Sequence, residues 1–148
     1  MNSEPLLVLM VEDNLDHAEL IKRNLSEHRL ANRLIHLTDG QQALDYLFHR
    51  APYADEQANP RPHVILLDLR LPKVDGLEVL KTIKESDELC VIPVVVLTTS
   101  EAERDVAMAY AYRANSYLVK PVGFSEFQYM METLGFYWLG WNTYSHVP

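Results

Sequence analysis

Asp68 closes an apolar run, Val64 to Leu67, and Glu12 with Asp13 closes another, Leu6 to Val11. If both runs are strands, three carboxylates from separate stretches of chain meet at one edge of a sheet. Such crowding of negative charge is unfavourable unless a divalent cation or a cationic side chain neutralises it. The donors are all oxygen, with no cysteine or paired histidine beside them, which favours a hard cation such as Mg2+ over zinc. Mg2+ keeps several waters and takes only one or two carboxylates, so phosphate oxygens have room to approach it. Thr98 and Thr99 end a further apolar run, and Lys120 with Pro121 ends the last. A hydroxyl and an ammonium therefore join the carboxylates.

Strands expected at 6–12, 32–37, 63–68, 92–98 and 116–119 would position these groups. Val64–Leu67 and Val94–Leu97 lack polar alternation, as strands buried on both faces of a parallel sheet do. Helical spacing predicts a first helix over 15–28, with Leu15, Ala18, Ile21 and Leu25 on its inner stripe. A second is expected over 40–49 (Ala43, Leu44, Leu47, Phe48) and a third over 76–86 (Leu77, Leu80, Ile83), opened by Asp75 or Gly76. The fourth is read over 101–113, with Ser100 as N-cap and Glu103 completing a capping box, and the fifth over 125–138 with Ser125 as cap. Alternating strands and helices make right-handed βαβ units of an open α/β sheet. In such sheets the functional crevice lies beyond the carboxyl ends of the strands, where the four singled-out ends converge. The stretch Arg50 to Pro62, with its three prolines and no periodicity, reads as a loop.

With 148 residues, 48% of them apolar and 23% charged, the chain suits one globular domain. A net charge of −8 argues against non-specific binding to nucleic acid or an anionic membrane. Cys90 stands alone, so no internal disulfide can form, and it reads as a small apolar filler. No secretory leader or membrane-spanning run is evident, which leads to the expectation of a cytoplasmic protein. The six histidines show no ligand spacing and are read as structural or solvent-facing.

Taken together, Glu12-Asp13-Asn14, Asp68-Leu69-Arg70-Leu71-Pro72 with Asp75-Gly76, Thr98-Thr99-Ser100 and Tyr117 to Pro121 resemble the receiver domain of response regulators, of the chemotaxis-regulator type. The resemblance covers about 6–138 and implies a doubly wound, flavodoxin-like sheet of five parallel strands in order 2-1-3-4-5 with five helices. It implies that Asp68 accepts a phosphoryl group from a phosphohistidine of a sensor kinase. Asp13, Asp68 and the Arg70 backbone carbonyl would bind Mg2+, with Glu12 acting through water. Lys120 would pair with Asp68 and then with the phosphoryl oxygens, aimed by a cis bond to Pro121. Thr98 would bind a phosphoryl oxygen and, with Tyr117, throw the switch read on the fourth helix, fifth strand and fifth helix. Phosphoryl transfer needs positioning and charge stabilisation, and an ionised carboxylate attacks without a general base. The chain is thus expected to be a signalling phosphoacceptor rather than an enzyme. Arg70 would stand at the mouth of the site and alter the phosphoryl lifetime.

Aromatic residues crowd the chain end beyond what one sheet face can cover, which suggests an interface. A homodimer or partner surface is expected to use Tyr110, Phe124, Phe127, Phe136, Trp138 and Trp141, with 139–148 as an extension of the single domain. Overall similarity extends to single-domain regulators that pair with bacterial phytochrome histidine kinases. The alternative is a phosphohydrolase of the haloacid-dehalogenase type using Asp68. That family resembles Asp-x-Asp at the nucleophile, and here Arg70 fills the second position. A nucleotide-binding module would need a glycine-rich loop after the first strand, where Glu12 and Asp13 stand instead.

Overall fold

The computed structural model describes residues 6–27 and 32–135. In chain order the elements are β1 (Leu6–Val11), α1 (Leu15–Ser26), β2 (Asn32–Leu37), α2 (Gly40–Leu47), β3 (Val64–Leu67), α3 (Gly76–Glu85), β4 (Val94–Thr98), α4 (Glu103–Ala111), β5 (Ser116–Val119) and α5 (Phe124–Gly135). All strand pairs are parallel, in the order β2-β1-β3-β4-β5.

The apolar runs have no polar alternation because alternate residues enter two cores. Leu9, Val11, Ile65, Leu67, Val94 and Val96 face one core, with Leu44 and Leu47 of α2, Leu80 and Ile83 of α3 and Ala109 of α4. Val8, Met10, Val64, Leu66, Val95 and Leu97 face the other, with Ile21 and Leu25 of α1 and Phe127 and Met131 of α5. Helices thus cover both faces, which keeps the inner strands dry.

Helix starts decide what the rim carries. The Asn14 side chain accepts from the backbone N–H groups of Asp16 at 3.0 Å and His17 at 3.1 Å. Asn14 therefore caps α1 and leaves Glu12 and Asp13 for other work. Asp39 caps α2 by accepting from Gln42 N–H at 2.8 Å.

Several expectations are corrected. Leu15 is 68% exposed, because the inner stripe of α1 runs through Ala18, Ile21 and Leu25 while its first residue projects from the rim. Ser100 is not the N-cap of α4, since Ala102 holds that position and the Ser100 hydroxyl is turned to Asp105. Ser125 lies inside α5, which opens one residue earlier with Phe127 N–H donating to the Gly123 carbonyl. Among the described residues the cis peptide bond is Ala51–Pro52 and not Lys120–Pro121. The ends expected at 28 for the first helix and 138 for the fifth lie outside the described residues, as does the tail.

Gly76 holds the site's loop in place. A Cβ there would overlap the Asp68 carbonyl oxygen and lie 2.5 Å from Leu69 Cα. Backbone cannot swing away as a side-chain tip can, so Gly76→Ala must shift the Asp68–Leu69 peptide or the start of α3. A loss of about 1–3 kcal/mol is expected in denaturant unfolding, the usual range for overpacking. A midpoint equal to that of the parent protein would contradict this close approach.

Candidate functional site

Parallel strands bring their carboxyl ends to one rim, and the charged residues after β1, β3 and β5 meet there. Glu12, Asp13 and Asp68 each place one carboxylate oxygen within 4.8 Å of the others. Glu12 and Asp68 are buried, at 2% and 7% exposure, whereas Asp13 faces solvent. The Lys120 ammonium, 3% exposed, donates to Asp68 Oδ2 at 3.0 Å and to Glu12 Oε1. Lys120 N–H also donates to the Thr98 carbonyl at 2.7 Å, which locks the start of the β5–α5 loop onto β4. Thr98 is fully buried, with its hydroxyl against Asp68.

The electrostatics divide the two buried acids. Burial pushes Glu12 up to about 7, aided by the charge on Asp68 and opposed by Lys120. Burial also acts on Asp68, but the Lys120 charge and hydrogen bonds from Glu12, Lys120 and Thr98 outweigh it and hold Asp68 below its ordinary value. Asp68 is therefore ionised at neutral pH, as a nucleophile requires, while Glu12, raised to about 7, is partly protonated there. One ammonium cannot neutralise three carboxylates. The all-oxygen donor set and its negative surplus fit a hard divalent cation.

A pH dependence follows. Glu12 titrates near 4.5 when free and near 7 in the fold. The raised value makes protonated Glu12 favourable in the folded state, so this stabilising proton is lost as pH rises toward 7. A divalent cation competes with the same proton. Mg2+ affinity at pH 6 is expected to be about tenfold weaker than above pH 7, where the dependence levels off. Calorimetric titration of the parent protein and Glu12→Gln checks this, since the variant should lose the pH dependence.

Arg70 leaves the rim toward α4. Its guanidinium pairs with Asp105, which is itself 7% exposed and accepts from the Ser100 hydroxyl. The Arg70 backbone N–H donates to Asp68 Oδ1 at 3.2 Å. Tyr117 does not reach the carboxylates. Its hydroxyl donates to the Ser100 carbonyl at 2.9 Å, and its half-buried ring packs on the core beneath α3 and α4. One chain of contacts thus runs from Asp68 through Arg70, Asp105 and Ser100 to Tyr117.

Sequence reading missed two of these residues. His17, grouped with the structural histidines, places Nδ1 at 3.0 Å from the Lys120 ammonium. Its position one helical turn beyond the Asp13-Asn14 pair was the available signal. Asp105 carried no signal, because its value lies in a partner far along the chain.

The expected interface is corrected in part. Tyr110 and Phe124 are 51% and 63% exposed, but Phe127 is 3% exposed. Phe127 lies three residues after Phe124 and turns toward the sheet, where it packs in the core and against the His17 ring. Phe136, Trp138 and Trp141 lie outside the described residues.

Comparison with known proteins fits this geometry. A family model described as the response regulator receiver domain matches residues 8–132. The chain is 48% identical to the probable methanogenesis regulatory protein FilR2 of Methanothrix harundinacea, over 94% of this chain and 87% of that protein. It is 39% identical to the response regulator Rcp1 of Synechocystis, over 93% of this chain and 92% of that one. The crystal structure of the Mn2+-bound form of Rcp1 superposes with a TM-score of 0.91, covering 95% of this chain and 99% of that chain. The phosphorylated cyanobacterial phytochrome response regulator RcpA superposes at 0.90 with 35% identity, covering 95% and 99%.

Proposed function

The chain belongs to the response regulator receiver family, and from that premise we propose that it is a stand-alone receiver whose Asp68 is the phosphoacceptor. Residues 1–148 act as one domain, with a core at 6–138 and the aromatic extension at 139–148. The observation that carries this reading is the convergence of Glu12, Asp13, Asp68 and Lys120 on one rim.

An Asp68 oxygen attacks the phosphorus of a kinase phosphohistidine. The P–N bond breaks, its electron pair leaves with the imidazole, and an acyl phosphate forms on Asp68. The developing charge on the phosphoryl oxygens meets the Lys120 ammonium, already held 3.0 Å from Asp68. Asp13, Asp68 and the Arg70 carbonyl would hold Mg2+, with Glu12 contributing through water. When bound, the cation supplies charge neutralisation that lets a phosphoryl group approach three acids.

The switch follows from the same residues. Thr98 moves its hydroxyl to a phosphoryl oxygen, and the Ser100 carbonyl that holds Tyr117 shifts with the β4–α4 loop. Released from that bond, the Tyr117 ring turns inward and the α4–β5–α5 surface changes. Only contacts that differ between the two states can drive the shift, and these are of that kind. Tyr110 and Phe124, with Phe136, Trp138 and Trp141, form the homodimer or partner surface. The protein works in the cytosol.

The similarity to RcpA, a cyanobacterial phytochrome response regulator, supports a bacterial phytochrome histidine kinase as donor. A phosphohydrolase of the haloacid-dehalogenase type is not supported, since the position that would hold its second acid is Arg70, engaged with Asp105. The test is phosphotransfer from a radiolabelled bacterial phytochrome kinase in Mg2+. Rapid transfer to the chain and none to Asp68→Asn agrees with the reading. Transfer to the variant at the same rate contradicts the assignment of Asp68.

A further inference from the structure

His17 stands where the established receiver residues give it no part. Its ring packs on Phe127 at 5.4 Å between centroids, tilted by 46°. Its Nδ1 lies 3.0 Å from Lys120 Nζ. An ammonium has three N–H donors and no acceptor, so Nδ1 must be the unprotonated nitrogen of a neutral ring with its hydrogen on Nε2. Burial first, then the Lys120 charge, lower the His17 pKa, consistent with the neutral form.

Lys120 has its three hydrogens directed at three acceptors on three elements: Glu12 after β1, Asp68 after β3 and His17 in α1. A lysine stem is flexible, and an ammonium is a point charge with no preferred orientation of its own. With two acceptors on the carboxylate side and one behind, the tripod fixes where Nζ stands. His17 also lines a cavity of about 390 Å³ between α1 and the β5–α5 loop, shared with Leu20, Pro121, Phe124 and Phe127. The imidazole therefore stands between that opening and a buried ammonium, and shields it from water on that side.

We propose that His17 is a positioning residue for phosphoryl transfer, acting through Lys120 by accepting its third N–H. The inference rests on Asp68 being the phosphoacceptor. During transfer the ammonium must turn from a carboxylate oxygen to a phosphoryl oxygen. An acceptor that stays put on the far side keeps that turn short and holds Nζ on the acceptor side of the site. Without it, Nζ spreads toward the cavity and is solvated there, and fewer conformers place its charge against the phosphoryl group.

The experiment uses the full chain, saturating Mg2+ and phosphoramidate as donor, and follows the rate of phosphoryl uptake. His17→Leu keeps an apolar body on Phe127 and loses the acceptor, while His17→Asn carries an oxygen in place of Nδ1. His17→Ala provides a third variant in case leucine disturbs α1. Uptake by the Leu and Ala variants is expected to slow by about tenfold to a hundredfold, the scale of a misplaced catalytic group. His17→Asn should remain within about threefold of the parent protein, because the acceptor survives. Mg2+ affinity should not change in any of them. Uptake by Leu and Ala at the parent rate, or rescue by Leu but not Asn, overturns the proposal and leaves His17 a packing residue. A parent protein that takes up no phosphoryl group overturns the reading of Asp68 and the proposal with it, whereas normal uptake by every variant removes only the proposal.

Discussion

Lys120→Met is expected to slow phosphoryl uptake from a small donor by at least about a hundredfold, the scale seen when one charge-stabilising group is removed from such a site. Methionine fills most of the lysine's volume, so the loss belongs to the charge. The ammonium is nearly sealed from solvent and bonded to both Glu12 and Asp68. Removing one partner of a buried pair leaves its counterpart uncompensated, which typically costs about 3–5 kcal/mol. Here Glu12 can take up a proton, since burial already holds it near 7, so the loss should shrink as pH falls. Mg2+ should restore part of the stability by neutralising the same carboxylates. Thermal unfolding at pH 6 and pH 8, with and without Mg2+, checks the pattern. A variant whose stability ignores both pH and Mg2+ would contradict the coupling between Lys120 and the acid pair.

Asp68→Asn is expected to abolish phosphoryl uptake while leaving the fold intact. The amide cannot act as the attacking oxygen anion, and no neighbouring acid is placed to substitute: Glu12 is partly protonated and paired with Lys120. The amide oxygen can still accept from the Arg70 backbone N–H and from Lys120, the contacts the carboxylate makes now. Mg2+ binding should weaken about tenfold or more, because one of the few anionic oxygens is lost. Label counting and calorimetry on the variant give both quantities. Retained uptake at another residue would show that the acceptor had been misplaced.

The strands were readable because burial on both faces writes an unbroken apolar run. Val64–Leu67 and Val94–Leu97 divide their residues between the two cores, and no other arrangement of a short strand tolerates that composition. The main carboxylates and Lys120 were equally legible, since parallel connectivity sends every strand's last residue to one rim. Helix starts were less so. Ser100 and Ser125 have the right chemistry for caps, yet a serine hydroxyl goes to the best available partner, and for Ser100 that was the Asp105 carboxylate. Phe127 looked like its exposed neighbours Phe124 and Tyr129 because aromatic type says nothing about which helix face a residue occupies. His17 escaped for a related reason: its place one turn beyond Asp13 and Asn14 marks the rim, but its partner is 103 positions away.

The central claim is that Asp68, backed by Lys120 and flanked by Glu12 and Asp13, takes a phosphoryl group with the help of a hard divalent ion. Mass spectrometry of the Asp68 peptide after exposure to phosphoramidate tests it most directly, with Mg2+ present in one sample and removed by chelator in the other. The account predicts one base-labile phosphoryl adduct on Asp68 that forms in Mg2+ and is lost with the chelator. An adduct on a different residue, or equal labelling of Asp68 without any divalent ion, would contradict it.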